Sequence, residues 1–205
     1  MPSRNTVKQF VEGGYYHAYN RGVAKRRIFL DKQDYYMFMH LLKRYLGEAP
    51  DVSGRGHIFE SHRGEVELLA FCLMPNHFHL YFYLDHNDHA ITELIRKVAG
   101  TYTVYFNKKY KRVGHLFQGI YKAKQVDNDA YLHHISRYIH LNPRDYKSWA
   151  YSSYKYYAGE LRADWLRPDK VLALFRDAGE YRDFVDDYEG YRDMLSELKL
   201  QLADL

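Results

Sequence analysis

Two apolar runs separated by only two residues constrain the fold of this chain most strongly. Residues 66–74 read VELLAFCLM and residues 77–84 read HFHLYFYL, and only Pro75 and Asn76 lie between them. Parallel strands need a crossover of a dozen residues or more, whereas antiparallel strands can be joined by a two-residue turn. We therefore expect an antiparallel hairpin at residues 66–84.

Strand and helix patterns alternate on either side of this hairpin. The aromatic run GGYYHAYNRG at 13–22 is bounded by glycines and predicts a strand. Asp31 is well placed to cap a helix that ends at Gly47. After the hairpin, apolar residues at helical spacing predict a long helix capped by Asp88 and ending near Asn107.

One more strand and one more helix follow in the predicted order of elements. Residues 116–126 alternate well enough in their second half to form a strand, and Asp127 or Asn128 begins another helix. That helix ends at Asn142, because Pro143 disfavours helical geometry in the residue before it. The order βαββαβ predicts an α+β fold, a ferredoxin-like (RRM-like) antiparallel sheet with helices on one face, followed by an appended helix.

Length and composition bound the domain organisation. The 205 residues suffice for one sizeable core, so we expect one main domain at 1–150 and a helical C-terminal appendage at 151–205, where the composition changes. The single cysteine, Cys72, excludes an internal disulfide and is typical of a reducing compartment. With no apolar run of membrane-spanning length and no signal-peptide pattern at the start, we expect a cytoplasmic protein.

The charge is distributed unevenly along the chain. Residues 94–126 contain eight Lys or Arg and no Asp or Glu, whereas residues 164–205 contain eleven acids and six bases. A basic body with an acidic tail favours a polyanionic partner for the body, although a solvated basic face is an equally good interpretation of charge alone.

Two histidines begin the second strand of the hairpin. Residues two apart in a strand share a face, so His77 and His79 project to one side of the sheet, and Phe78 and Leu80 project to the other. Neutral imidazole is a common metal ligand. With 12 histidines in 205 residues such a pair also arises by chance, so two ordinary histidines remain an alternative at this point.

The helix that ends at Asn142 carries a second candidate group. Leu132, Ile135 and Ile139 form its core-facing stripe, and Tyr138 and Asn142 lie one turn apart along the edge of that stripe. Both side chains can therefore face the sheet. The alternative is a buried tyrosine and an asparagine that merely ends the helix.

Several separated motifs resemble one known family. The segment MPNHFHL resembles the His-hydrophobic-His signature of the HUH endonucleases. The segments YFNKKYKRVGHLFQGIYK and YIHLNP are similar to the landmarks of the single-tyrosine HUH transposases, in the same order. Asn142, four residues after the tyrosine of YIHLNP, is most similar to the REP-associated tyrosine transposases, because insertion-sequence relatives more often have Gln there.

The resemblance implies a site and a reaction. It makes His77, His79 and Asn142 ligands of a divalent metal, Mg²⁺ or Mn²⁺, and Tyr138 the nucleophile, with Tyr131 as the nearest rival. The implied activity is that of a transposase-like endonuclease and strand transferase, which cleaves single-stranded DNA carrying hairpin (palindromic) elements and forms a 5′-phosphotyrosine. The general base is left open between His134 and a metal-bound water.

The same resemblance sets the expected partners. We expect single-stranded hairpin DNA, association with the nucleoid when DNA is bound, and a monomer in preference to a homodimer. The candidates for backbone contacts are the basic residues Arg21, Arg26, Arg27, Lys108, Lys109, Arg112, Lys122 and Lys124. Two alternatives remain: a non-catalytic RRM-like module that binds single-stranded DNA or RNA hairpins, and a phosphodiesterase that uses water as its nucleophile.

Overall fold

A computed structural model describes residues 9–54, 56, 58–126 and 129–187 of the chain, with only the backbone for 129–131. Four strands and six α-helices lie in this part of the chain. In chain order they are β1 (Tyr15–Arg21), α1 (Lys32–Leu46), β2 (Val66–Met74), β3 (His77–Leu84), α2 (Ala90–Lys109), β4 (Lys122–Gln125), α3 (Asp129–His140), α4 (Tyr154–Tyr157), α5 (Asp169–Leu172) and α6 (Ala178–Asp186).

The strands form one antiparallel sheet in the order β2-β3-β1-β4. Helices α1 and α2 pack on one face, in a core that includes Phe78 and Leu80 of β3. Helix α3 covers the other face together with α4–α6, in a second core that includes Tyr81 of β3. The predicted ferredoxin-like fold with an appended helix is therefore confirmed.

Local sequence signals account for α1. The Asp31 carboxylate accepts a hydrogen bond from the backbone N–H of Asp34, and the Asp34 carboxylate accepts one from Asp31. The helix ends before Gly47, as predicted. A Cβ at Gly47 would lie 2.7 Å from the carbonyl oxygen of Lys43, which favours glycine at this helix end.

The prediction for the start of α2 is wrong. The residue before the helix is His89, which makes no side-chain cap. Asn87 adopts a positive φ of 67°, and its side-chain oxygen accepts from the N–H of His89, so a turn centred on Asn87 takes the place of a cap by Asp88. At its other end α2 runs two residues past Asn107, to Lys109.

The helix that carries Tyr138 ends close to the predicted position. Helix α3 ends at His140, and the N–H groups of Leu141 and Asn142 still bond back to carbonyl groups of its last turn. Its predicted start at Asp127 or Asn128 lies outside the described residues.

The segment after residue 150 is joined to the sheet. Ser152 forms an antiparallel bridge with Cys72, the N–H of Leu73 donates to Tyr151, and the N–H of Ser153 donates to Phe71. These contacts extend the β2 edge before the chain enters α4. The division of the chain at residue 150 stays a prediction. Among the helices that are described, none is long and apolar enough to cross a membrane.

Candidate active site

The histidine pair lies on the face of the sheet that α3 covers. His77 and His79 point to that side, with ring centroids 5.0 Å apart, while Phe78 lies in the core beneath α1 and α2. His79 is fully buried and His77 is partly buried. The predicted alternation along β3 is confirmed, and it brings both imidazoles to one place.

The tautomer of His77 follows from its neighbours. The side-chain oxygen of Asn76 lies 2.7 Å from Nδ1 of His77, and the Asn76 amide nitrogen points to the carbonyl oxygen of Lys25. The Nδ1–H group therefore donates to Asn76, and the lone pair of the neutral imidazole lies on Nε2. Burial lowers the pKa of His77 and favours this neutral form.

Asn142 directs an oxygen atom toward this lone pair. Its amide nitrogen donates to the carbonyl oxygen of Tyr138 at 2.9 Å, one helical turn back, which fixes the orientation of the amide. Its Oδ1 atom then lies 3.5 Å from Nε2 of His77. Two acceptor atoms facing each other repel unless a proton or a cation lies between them. This pair of atoms therefore suits a cation.

Tyr138 packs edge-on against the imidazoles. Its ring centroid lies 5.5 Å from that of His79, and its side chain is 6% exposed. Burial raises the pKa of the Tyr138 phenol, whereas a side-chain hydrogen bond with Asn142 acts in the opposite direction. The side chain of Tyr131, the rival nucleophile, lies outside the described residues.

His17, on β1, is a site residue that the sequence did not reveal. Its Nε2 atom lies 2.9 Å from Nδ1 of His79, and the two rings are stacked at 15°. Burial lowers the pKa of His17 to about 3 and lowers that of His79 well below its ordinary value, so both are neutral. Within the described part of the chain, Nε2 of His79 is buried and has no hydrogen-bond partner.

The residues fit a divalent metal through mixed nitrogen and oxygen ligands. Nε2 of His77 carries a lone pair, Nε2 of His79 has no described partner, and Oδ1 of Asn142 faces the pair. Such a set suits Mg²⁺ or Mn²⁺, with the imidazoles favouring Mn²⁺. No group of three or more His, Cys, Asp or Glu residues that could hold a metal ion is present in the described ranges. The candidate third ligand is the Oδ1 atom of Asn142, which lies 3.5 Å from Nε2 of His77.

Comparison with known proteins finds one matching family. Residues 58–142, which include both histidines, Tyr138 and Asn142, match the family described as transposase IS200 like. The resemblance that the motifs predicted is confirmed. The solved structure of a REP-associated tyrosine transposase bound to a REP hairpin has 16% sequence identity and a TM-score of 0.56, and the match covers 80% of this chain and 92% of that chain. At this identity the likeness concerns the fold.

A second solved structure is more distant. A protein from Deinococcus radiodurans R1, described as a proposed transposase, has 16% identity and a TM-score of 0.39, and the match covers 68% of this chain and 95% of that chain. No curated protein sequence matches this chain significantly.

Three of the predicted DNA-contacting residues share the face of the histidine pair. Arg21 is directly opposite His77 in the sheet register, and its Nε donates to the side-chain oxygen of Gln118 at 2.6 Å. Lys122 and Lys124 of β4 are opposite Tyr19 and His17. The structure thus brings three cations of the predicted set to this side of the sheet.

The other predicted contacts lie elsewhere. Lys108 is exposed near the end of α2, beneath the opposite face. The neighbouring Lys109 ammonium lies 2.8 Å from carboxylate oxygens of both Asp31 and Asp34, so its charge is compensated inside the protein. Arg26, Arg27 and Arg112 line a common pocket beside the loop that follows β1.

Helix α3 is fastened to α6 through buried polar groups. Arg137 donates to the carbonyl oxygen of Phe184 at 2.8 Å, and its guanidinium lies 3.9 Å from the centre of that ring. The ring of His140 contacts the Tyr181 hydroxyl on one side and the Ser153 hydroxyl on the other, both at 2.7 Å. These contacts fix the helix that carries Tyr138.

His134, one of the two candidates for the general base, is engaged in the same region. Its Nδ1 atom lies 2.8 Å from a guanidinium nitrogen of Arg137. Burial lowers the pKa of His134 to about 4, which makes it a weak base.

Proposed function

We propose that this protein is a metal-dependent endonuclease and strand transferase for single-stranded DNA, with Tyr138 as the nucleophile. One observation carries the proposal. The ring centroid of Tyr138 lies 5.5 Å from that of His79, and Asn142, two residues past the end of the same helix, directs its Oδ1 atom toward His77. The candidate nucleophile and the candidate ligand residues, from separated parts of the chain, thus lie close together, which supports the proposal.

The metal ligands would be His77, His79 and Asn142. A bound Mg²⁺ or Mn²⁺ would neutralise the non-bridging oxygens of a phosphodiester, whose negative charge otherwise repels a nucleophile. The lone pair on His77 Nε2 and the buried His79 Nε2 without a described partner support this assignment.

His17 would orient His79 for this role. When Nδ1–H of His79 donates to Nε2 of His17, the His79 lone pair lies on Nε2, the atom that binds metal. The reverse arrangement would put a proton on that atom. We therefore assign His17 as a positioning residue rather than a ligand.

The reaction is an exchange of one phosphoester bond for another. The Tyr138 oxygen attacks phosphorus, an O–P bond to tyrosine forms, and the bond from phosphorus to the 3′ oxygen breaks. The phenol loses one proton and the departing 3′ oxygen takes up one, giving a 5′-phosphotyrosine and a free 3′-OH. Attack by another 3′-OH reverses the step without ATP, because the phosphotyrosine retains the energy of the broken bond.

The expected substrate is a hairpin with single-stranded DNA beside it. Arg21, Lys122 and Lys124 on the face of the histidine pair support backbone contacts there. The protein of similar fold is itself bound to a REP hairpin. The anchoring of α3 by α6 of the same chain supports a monomer whose site is complete in one copy.

A covalent-trapping assay tests the proposal. The wild-type protein, incubated with Mn²⁺ and a labelled oligonucleotide carrying a REP-like hairpin, should give a protein–DNA adduct that survives denaturing electrophoresis. Tyr138→Phe should abolish the adduct and Tyr131→Phe, the matched control, should retain it. An adduct formed by Tyr138→Phe would exclude Tyr138 as the nucleophile.

One observation favours the second candidate, a non-catalytic RRM-like hairpin-binding protein. Tyr138 is only 6% exposed and packs within the second core, so a phosphate reaches its oxygen only if this packing opens. A non-catalytic protein would bind the same hairpin in the trapping assay and leave it uncut at every Mn²⁺ concentration. A hydrolytic phosphodiesterase would cut it and leave no adduct.

A further inference from the structure

Three arginines from two distant segments line one small pocket. Arg26 and Arg27 follow β1 and Arg112 follows α2, and the pocket between them has a volume of about 230 Å³. We infer that this arginine pocket, whose apolar lining is Val23, Leu30, Phe106 and Leu116, binds one unstacked nucleotide of the DNA strand. The inference rests on the proposed function, because it assumes that the substrate is single-stranded DNA.

The positive charges that line the pocket favour binding of an anion. In the described ranges, the arginines that form ion pairs with carboxylates are Arg44, Arg63, Arg167 and Arg176. The three pocket arginines are not among them. Guanidinium groups gathered without carboxylates repel one another and attract an anion, and their planar donor sets match the oxygens of a phosphate.

The lining distinguishes a nucleotide from a simple anion. Phe106 and Leu116 are buried beneath the pocket, and the Arg112 guanidinium carbon lies 5.6 Å from the centre of the Phe106 ring. Inorganic phosphate needs no apolar surface, whereas a splayed-out base stacks on aromatic rings and guanidinium planes. Cationic groups over an apolar floor therefore fit a nucleotide with both its phosphate and its base.

The pocket is connected to the candidate active site. The N–H of Gly22 donates to Asn76 and the N–H of Ile28 donates to Pro75, so the loop that carries Arg26 and Arg27 lies on the turn before β3. Asn76 in turn bonds to His77. The loop that carries two of the pocket arginines therefore contacts the same turn that positions His77.

The loop holds its arginines in a defined geometry. Ala24 and Lys25 have positive φ values of 52° and 58°, which are unfavourable for residues other than glycine. A Cβ at Gly22 would lie 2.1 Å from the carbonyl oxygen of Arg26, so the loop closes tightly on a glycine. A strained backbone of this kind is retained only where the surrounding contacts hold it in place.

Binding of a short fluorescein-labelled oligo(dT), followed by anisotropy without metal, tests the inference. Arg26→Gln and Arg112→Gln should each weaken binding by about tenfold, the effect of losing one charge-assisted contact. Arg162→Gln is the matched control, because Arg162 lines a different pocket, beside Gly159. Its affinity should equal that of the wild type.

A pocket-filling variant separates nucleotide binding from surface charge. Leu30 is 50% exposed, so Leu30→Trp can enter the cavity without disturbing the core. Leu30→Trp retains all three arginines and should bind oligo(dT) about tenfold more weakly. Wild-type affinity in this variant would overturn the inference and leave the arginines as simple backbone contacts.

Photocrosslinking of the unaltered protein gives a readout that does not depend on folding of the variants. An oligonucleotide containing 5-iodouracil should crosslink to peptides that include Arg112 or residues 23–30, and crosslinks confined to other segments would overturn the inference. If the wild-type protein bound no oligonucleotide at all, the proposed function would fail as well. Binding by the wild type with unaffected pocket variants would remove only the pocket.

Discussion

The Nε2 atom of His17 lies 2.9 Å from Nδ1 of His79, and the two imidazoles stack with ring centroids 5.0 Å apart. The contact joins β1 to β3 across the centre of the sheet, where both side chains are fully buried. Because burial keeps both rings neutral, one proton is shared along this contact, and its position decides which His79 nitrogen is free.

Removal of this contact should weaken metal binding. We expect His17→Phe to reduce Mn²⁺ affinity by about 10–100-fold, the usual effect of losing a partner that orients a metal ligand. His17→Gln should retain most of the affinity, because its amide oxygen can still accept from Nδ1–H of His79. Titration calorimetry with Mn²⁺ alone measures both variants.

Nitrogen NMR of the metal-free protein supplies a second readout. His79 should carry its proton on Nδ1 in the wild type and in His17→Gln, and on Nε2 to a substantial extent in His17→Phe. A His17→Phe protein with wild-type Mn²⁺ affinity and an unchanged His79 tautomer would show that His17 is only a core residue. Failure of the wild type to bind Mn²⁺ would instead count against the metal site itself.

Salt dependence should identify the DNA-binding face. Lys124 is exposed and lies opposite His17 in the register of β1 and β4, on the side of the histidine pair. Affinity for oligo(dT) should fall steeply with salt, and Lys124→Gln should reduce the logarithmic slope by about 1, the expected effect of one lost phosphate contact. Lys155→Gln on α4 is the control. A flat salt response in the wild type would contradict binding through the phosphate backbone.

The contacts of His140 make the anchoring of α3 sensitive to acid. Burial lowers the pKa of His140 to about 3 from an ordinary value of 6.5, so the unfolded chain binds a proton in this interval and the folded chain does not. The contribution of neutral His140 to the free energy of unfolding is therefore fully present above pH 6.5. It is lost as the pH falls from 6.5 toward 3, at up to about 1.4 kcal/mol per pH unit for this one group.

Urea unfolding at several pH values checks this dependence. Wild-type stability should fall below pH 6.5, and His140→Gln, whose amide can still reach hydroxyl partners, should show a smaller slope over the same interval. His115→Gln is the control, because His115 is exposed. Equal slopes in the His140→Gln variant and the wild type would mean that His140 titrates normally.

Patterns between residues close together in sequence were sufficient to predict much of the fold and part of the candidate site. A two-residue link determines the hairpin, Asp31 and Gly47 limit α1 through contacts within one turn, and strand alternation puts His77 and His79 on one face. Each of these features depends on residues close together in sequence. The misassigned start of α2 is a local error, because the turn at Asn87 competes with a cap at Asp88.

Features that depend on which strands are neighbours in the sheet could not be predicted from the sequence. His17 is 62 residues from His79, and it contacts that side chain only because β1 lies beside β3 in a particular register. Alternation along β1 predicts which of its residues share a face, but it does not predict which strand lies beside β1. For the same reason the sequence does not predict the ion pair between Lys109 and Asp31, which lies 78 residues earlier.

The ion pairs of Lys109 predict a role in stability. The Asp34 side chain is fully buried and receives hydrogen bonds from Lys109, Tyr105 and Tyr110. Lys109→Gln should lower the free energy of unfolding by roughly 2 kcal/mol, because it leaves a buried carboxylate without its countercharge. Lys108→Gln, at the exposed neighbouring position, should change it by less than about 0.5 kcal/mol. Urea unfolding at neutral pH compares the two, and equal stabilities would show that water or the tyrosine hydroxyls suffice to compensate Asp34.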